Sequence, residues 1–482
     1  MSDLRPVFFV VGLMLAALGV SMFIPMAVDV FYEDRSWRAF AMSGIFTTLI
    51  GAVLALATYS PNPKLPARGA FLLTGLSWVV LSIFAAVPFL MSPTNMSITD
   101  ALFEATSGIT TTGSTIMTGL DGQPKGVLLW RAILQWIGGV GIIVTAMAIL
   151  PMLRIGGMQL FRLESSDMSE KMLPRAASLA AAIGGIYIGL TIICGVGYMM
   201  VGMNSFDAAA HAMTTLATGG YSTSDLSMGG FMDNGADLVC IAFMMAGGMP
   251  FGVYLMMVRG NFRAPLNDPQ VRDFILIMIA LIVIMTTFLW INSELSGSRS
   301  LRLSAFNVVS IVTGTGYATA DYNSWGPFAV AAFFAFMFIG GCAGSTACSI
   351  KIFRYQVAFV ALRAYLQRMP RQNTVIPLRY GSKPLPEPVV YSVMSYFFLF
   401  FMTFAFAAIL LSVLGLDPVT AWSGAGSAVA NVGPGLGDII GPSGTYQTLP
   451  DTAKWVLMLS MIVGRLEIVT ALVLFTPAFW RA

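Results

Sequence analysis

Apolar stretches of about 20 residues, the length that crosses a hydrocarbon core, recur along this chain from Val7 to Trp480 with few gaps. A chain written this way is polytopic and leaves no room for a sizeable soluble domain. Of its 482 residues 57% are hydrophobic and 10% charged, whereas a soluble domain carries about 25% charged residues. A water-soluble reading is excluded. The first run, Pro6 to Val28, is too long for a signal-peptide core and reads as a retained membrane helix. Cys194, Cys240, Cys342 and Cys348 sit in apolar or Gly-rich segments without CxxC pairing and read as small buried hydrophobes. A net charge of +3 is too small to imply a nucleic-acid partner.

Two leading helices, near Pro6–Val28 and Trp37–Tyr59, precede a cadence that occurs four times: a span, a segment too short to cross, a Gly-rich string, and a closing span. The first unit reads Ala70–Met91, Ile98–Ile109, the string Thr110 to Thr115, then Val127–Leu153. The second reads Ala176–Val201, Ser205–Leu216, the string Ala217 to Thr223, then Leu238–Val258. The third reads Phe274–Asn292, Leu301–Val312, the string Thr313 to Thr319, then a span from Phe328. The fourth reads Tyr391–Leu414, Pro418–Ala430, the string Asn431 to Gly437, then Lys454–Phe475. Gly113, Gly220, Gly316 and Gly433 serve as reference glycines, spaced roughly 100 residues apart, which is a fold-level repeat. The expectation is an all-α polytopic membrane protein, with four tandem helix–pore helix–filter loop–helix repeats around one pore and two N-terminal transmembrane helices. The units run 1–66 for the leading pair, then 67–155, 156–262, 263–372 and 373–482. Gly184, Gly185, Gly189 and Gly195 lie inside a continuous span and read as helix-packing glycines.

Charge fixes the orientation, because Lys and Arg are retained on the cytoplasmic side. The side carrying the strings holds Arg35, Arg38, Lys125, Arg131, Arg299, Arg302 and Lys454. The opposite side holds Arg5, Lys64, Arg68, Arg154, Arg162, Lys171, Arg175, Arg259, Arg263, Arg272, Lys351, Arg354, Arg363, Arg368, Arg371, Arg379, Lys383 and Arg481, and is the cytoplasmic one. Acids such as Asp100, Glu104, Asp207, Asp225 and Asp438 then lie outside, where a negative vestibule would concentrate cations.

Irregular backbone at membrane depth is tolerated only where it is buried in protein or lines a watery cavity, so four such strings imply one shared cavity. Backbone carbonyls replace the water shell of a monovalent cation without a fixed charge that would trap it. Glycine permits positive φ, and threonine adds a hydroxyl beside its carbonyl. A short helix dipping in from outside aims its negative dipole end at the membrane centre, which favours cations.

With these strings the chain resembles the potassium uptake subunits of the Trk/Ktr/HKT superfamily, and the TrkH-type members of bacterial Trk systems most closely. The likeness covers essentially the whole chain and includes the two extra N-terminal helices. It implies channel-like potassium uptake across the bacterial inner (cytoplasmic) membrane, with potassium as the transported ion and no other cofactor. The coordinating positions carried over are Thr111 and Thr112, Thr218 and Gly219, Gly314 and Thr315, and Asn431 and Val432. The fourth string is the most divergent, and its Gly433-Pro434-Gly435 lacks the aromatic found at Tyr221 and Tyr317 in the second and third. The resemblance also implies a homodimer and a cytosolic, nucleotide-binding TrkA-type partner.

The small-residue run Gly340 to Ser349, containing Gly341, Gly344 and Ser345, interrupts the third closing span and reads as an intramembrane loop. The resemblance places it below the filter as a gate. Arg465 stands between apolar runs, where a charge must face protein or water, and the resemblance makes it an electrostatic barrier in the pore. Glu467 shares no helix face with it, so a simple intrahelical pair is not expected and an interhelical partner is left open. His211 reads as a hydrogen-bonded structural histidine, and the basic, Pro-containing stretch Arg363 to Pro388 as a contact for lipid headgroups or a soluble partner. An ion-coupled secondary transporter (sodium or proton symport) is the alternative, although its inverted repeats are not the parallel ones here. No carboxylate or Ser/His/Asp constellation suggests an enzyme.

Overall fold

The computed structural model describes residues 4–60, 67–144, 172–370, 376–381 and 383–481. Lys64, Arg154, Arg162, Lys171 and Arg371, and the first closing helix toward Leu153, lie outside these residues. Seven described helices are long and apolar enough to cross a membrane. Large apolar side chains such as Leu49, Leu56, Ile192 and Phe398 are exposed on their outer faces, while Thr111, Thr218, Asn307 and Arg131 are buried. That inversion fits a lipid surround and a polar interior.

The leading pair consists of a span from Arg5 to Phe31 and a helix Trp37–Ala57. They approach closely because a Cβ on Gly12, Gly19 or Gly51 would strike opposing backbone. Asp29 fastens the pair to the first unit: its carboxylate accepts Gly126 N in the first turn of the closing helix at 2.5 Å and Ser36 Oγ at 2.5 Å. A buried acid on a helix N-terminus is stabilised by the dipole.

The four short helices are Ile98–Ile109, Ser205–Leu216, Gly297–Val312 and Pro418–Ala430. Each starts at a capping side chain. Ser97, Asn204, Ser296 and Asp417 accept the amides of Asp100, Asp207, Arg299 and Thr420. Three of these helices match the sequence expectation; the third begins four residues before Leu301, because its first turn is polar and apolar patterning does not register it.

The closing spans are central and mostly broken. The window of Lys125–Ile143 is 78% buried, against 17% for the leading helix Ser178–Met200, so closing helices stand inside and leading helices outside. The second closing span bends by 94° between Ala236–Gly248 and Phe251–Val258. Pro250 at the bend has no amide to continue the ladder. The third runs Pro327–Phe336, then the loop, then Ile352–Arg368. The fourth was expected to be continuous from Lys454 to Phe475, yet it stops at Arg465 and resumes at Val469–Val473. Glu467, left-handed at φ 59°, turns there to pair with Arg354, an interhelical partner that the sequence left open. Glycines on three closing spans meet pore-helix ends: a Cβ on Gly138, Gly247 or Gly464 would crowd the carbonyl of Ile109, Leu216 or Val429. Of the four glycines expected to pack helices, a Cβ on Gly195 would meet Ala212 of the second short helix at 3.5 Å, whereas no described residue lies within 4 Å of one on Gly184, Gly185 or Gly189.

Candidate functional site

All four strings adopt one backbone pattern. The residue two before each reference glycine is left-handed: Thr111 at φ 53°, Thr218 at 49°, Gly314 at 73° and Asn431 at 53°. The reference glycines follow at 88°, 80°, 82° and 110°. Between them, Thr112 N, Gly219 N, Thr315 N and Val432 N donate to the carbonyl five residues back, on Ser107, Thr214, Ser310 and Ser427, at 2.8 to 3.0 Å. This is a left-handed helix stop repeated four times. Three threonine or asparagine residues in that conformation carry strain of the kind that concentrates at functional sites.

The strings then meet. A Cβ on Gly113 would collide with the Gly219 carbonyl oxygen, one on Gly220 with that of Thr315, one on Gly316 with that of Val432, and one on Gly433 with that of Thr112. The contacts run from first to second, third, fourth and back to first, so the strings close a ring. Every reference glycine is required by the carbonyl beside it. The threonine hydroxyls carry hydrogen bonds within the protein. Thr112 Oγ1 pairs with Thr110 at 2.7 Å, Thr315 Oγ1 with Thr313 at 2.8 Å, and Thr218 Oγ1 donates to Ala217 O at 2.7 Å. Thr112 Oγ1 also accepts from Asn431 Nδ2 at 2.8 Å, which ties the first string to the fourth.

A cavity of about 220 Å³ sits on the ring and touches Gly113, Gly220, Gly316 and Gly433. Among the described residues its charged lining is Asp225 and Arg131. Three of the outer acids are paired: Glu104 is held by Arg131 at 2.7 Å, Asp100 by Lys454 at 2.7 Å and Asp237 by Arg302 at 2.6 Å. Aromatic struts link neighbouring units. Tyr221 OH donates to Glu104 O at 2.9 Å, and Tyr317 OH bonds Thr214. In the fourth unit, where Pro434 replaces the aromatic, Tyr446 OH reaches Gly433 O at 2.9 Å and Tyr446 N reaches Thr115 O at 2.9 Å. No local motif marked Tyr446, which is brought in by the turn after the string. His211 is buried between Asp207 O at 2.8 Å and Ser222 Oγ at 3.0 Å, a structural role as expected.

The loop Gly340 to Ser349 lies against the other face of the strings. Thr346 Oγ1 donates to Leu216 O at 3.0 Å and Ser349 N to Ala430 O at 2.9 Å, both at pore-helix ends. Cys348 Sγ is 3.6 Å from Thr111 Oγ1, and its Cβ is the nearest neighbour of a side chain built on Gly314. Thus the loop touches all four units. Its own backbone is fixed by the bent second span, whose free carbonyls on Gly247 and Gly248 accept Thr346 N and Cys342 N. Ser345 Oγ donates to Cys342 O at 2.6 Å, and Phe251 N donates to Gly344 O. A Cβ on Gly340 or Gly341 would strike Cys348 or Ala347. Arg465 is 4% exposed and donates from Nη1 to Cys348 Sγ at 2.6 Å. Cys348 is therefore more than a small hydrophobe; it joins the first string, the loop and the arginine.

The TrkH family model, described as a cation transport protein, matches residues 36–482. The chain belongs to the TrkH family. It is 44% identical over 479 residues to the Trk system potassium uptake protein TrkI of Halomonas elongata, covering 99% of this chain and 97% of that one. It is 36% identical over 482 residues to the Trk system potassium uptake protein TrkH of Escherichia coli K12, covering 99% of each. The crystal structure of the potassium transporter TrkH from Vibrio parahaemolyticus matches with a TM-score of 0.92 at 35% identity and full coverage of both chains. As a TrkH-family chain with seven apolar spans, it is a multi-pass inner-membrane protein.

Proposed function

We propose that this chain carries potassium into the cell through the ring of four strings, in a channel-like manner, with the loop Gly340 to Ser349 and Arg465 closing the path below. The observation that carries this reading is the cyclic contact between each reference glycine and the next string's carbonyl, on Gly219, Thr315, Val432 and Thr112. Four carbonyls gathered at four pore-helix C-termini supply the dipoles that replace a cation's water shell. Thr111, Thr218, Gly314 and Asn431, left-handed beneath them, contribute the next layer of carbonyls. The choice of potassium rests on the relatives, which are named potassium uptake proteins.

Arg465 beside the loop opposes a cation leaving the ring, so flux requires the loop and the arginine to move. A homodimer with a cytosolic, nucleotide-binding partner of the TrkA type is the proposed means of moving them. The helix Ile352–Arg368, which continues directly from the loop, supports this, since Phe359, Leu362, Leu366 and Met369 are exposed on one face of it and just beyond. The test is rubidium flux into proteoliposomes holding the parent protein or Gly113→Ser, competed with potassium or sodium. Competition by potassium alone in the parent, and its loss in the variant, is expected; equal competition by both ions in the parent would reject the reading.

A further inference from the structure

Of the four carbonyls that meet the reference glycines, one is gripped from outside the ring. Gln135 stands fully buried on the first closing helix, one turn beyond Arg131. Its Nε2 donates to Gly219 O at 2.6 Å, and its Oε1 accepts Tyr221 N at 3.0 Å. Arg131, on the same helix face, donates from Nη1 to Ser222 O at 2.9 Å. The first closing helix thereby fixes three residues of the second string. Among the described residues no side-chain donor reaches the carbonyls of Thr112, Thr315 or Val432.

The same contact accounts for a departure in the sequence. At the position before the reference glycine the other strings carry Thr112, Thr315 and Val432, whereas the second carries Gly219. A Cβ on Gly219 would overlap the Gln135 amide. Glycine is needed there so that Gln135 can reach the carbonyl.

We propose that Gln135 is a specificity-determining positioning residue, which fixes the Gly219 carbonyl and shares its lone pair, so that the ring offers three unshared carbonyls and one weakened one. Field strength and the placement of carbonyl dipoles decide which monovalent cation gains most on leaving water, and a weaker field favours the ion that dehydrates more cheaply, potassium over sodium. The inference rests on the potassium reading above.

The test measures the potassium-to-sodium preference in rubidium-flux competition for the parent, Gln135→Leu and Gln135→Glu in proteoliposomes. Gln135→Leu is expected to lower the preference about fivefold, the worth of one ordinary hydrogen bond. Gln135→Glu is expected to lower it at neutral pH and to regain it as the pH falls. A protonated carboxyl again donates to Gly219 O while accepting from Tyr221 N, whereas a carboxylate does not. Arg131 and Glu104, the charged pair facing this position, are present in every variant, so the parent's preference serves as the flat reference. An unchanged preference in Gln135→Leu, or a pH-independent one in Gln135→Glu, would overturn the proposal. If Gln135→Leu fails to fold, the pH profile of Gln135→Glu decides alone. A parent without potassium preference overturns the potassium reading and this proposal together, which sets that failure apart from one confined to Gln135.

Discussion

A left-handed backbone beside a neighbour's carbonyl leaves the four reference glycines no substitute. Gly220→Ala would add left-handed strain of about 1–2 kcal/mol and push on the Thr315 carbonyl. We expect its potassium-to-sodium preference to fall about tenfold, which is what 1.4 kcal/mol represents, measured by flux competition. In the proposed path Arg465 acts by charge. A unit charge about 8 Å from a passing cation costs about 2 kcal/mol at an effective dielectric constant of about 20. Arg465→Ala is therefore expected to raise basal rubidium flux by up to roughly 30-fold, and Arg465→Lys to leave it low; an unchanged flux in the alanine variant at equal protein density would refute the barrier. The glycines and the arginine were legible in the sequence because each breaks a local rule, a Gly/Thr string after a short segment or a charge in an apolar run. Gln135 and Tyr446 were not, since an amide in one helix and a tyrosine in a turn carry no signal until folding brings them to Gly219 and Gly433.

The pore helices were readable as elements because cap, length and string recur together. Their caps also make a prediction. Asp417 accepts the amide of Thr420 at 3.0 Å, and its hydrogen bonds to Thr420 hold the carboxyl below the usual aspartate range. A depressed pKa means that the folded state prefers the carboxylate, so the cap's contribution is complete above the unfolded value near 3.9 and fades as the pH falls through the lower folded value. Asp417→Ala should cost about 1 kcal/mol at neutral pH, read as a lower thermal midpoint, with the gap to the parent closing in strong acid. A gap that stays constant with pH would contradict this. The broken spans were only partly legible. The loop Gly340 to Ser349 announced itself by its small residues, but the bend at Pro250 falls inside what reads as a single span, Leu238–Val258, and the stop after Arg465 depends on an ion pair with a distant helix. That stop is a tertiary event, which hydropathy reads straight through.

Over the whole molecule, buried ion pairs join units that the sequence treats as separate. Arg354, on the helix after the loop, and Glu467, two residues after Arg465, pair in the interior. Removing one partner of a buried pair costs about 3–5 kcal/mol, while replacing both with apolar groups is often neutral. Glu467→Ala should therefore lower the thermal midpoint far more than Arg354→Met with Glu467→Leu; equal losses would show that the pair does not join the units. Spacing made the order of the elements legible, but the closure of the ring was beyond it, because it depends on which string each glycine faces. The ring is the central claim, and the most direct measurement is flux through purified protein in proteoliposomes with potassium, rubidium, sodium and lithium in turn. Potassium and rubidium are predicted to pass well ahead of sodium and lithium, and Gly113→Ser to narrow the difference; equal passage of all four ions through the parent would contradict a selective ring.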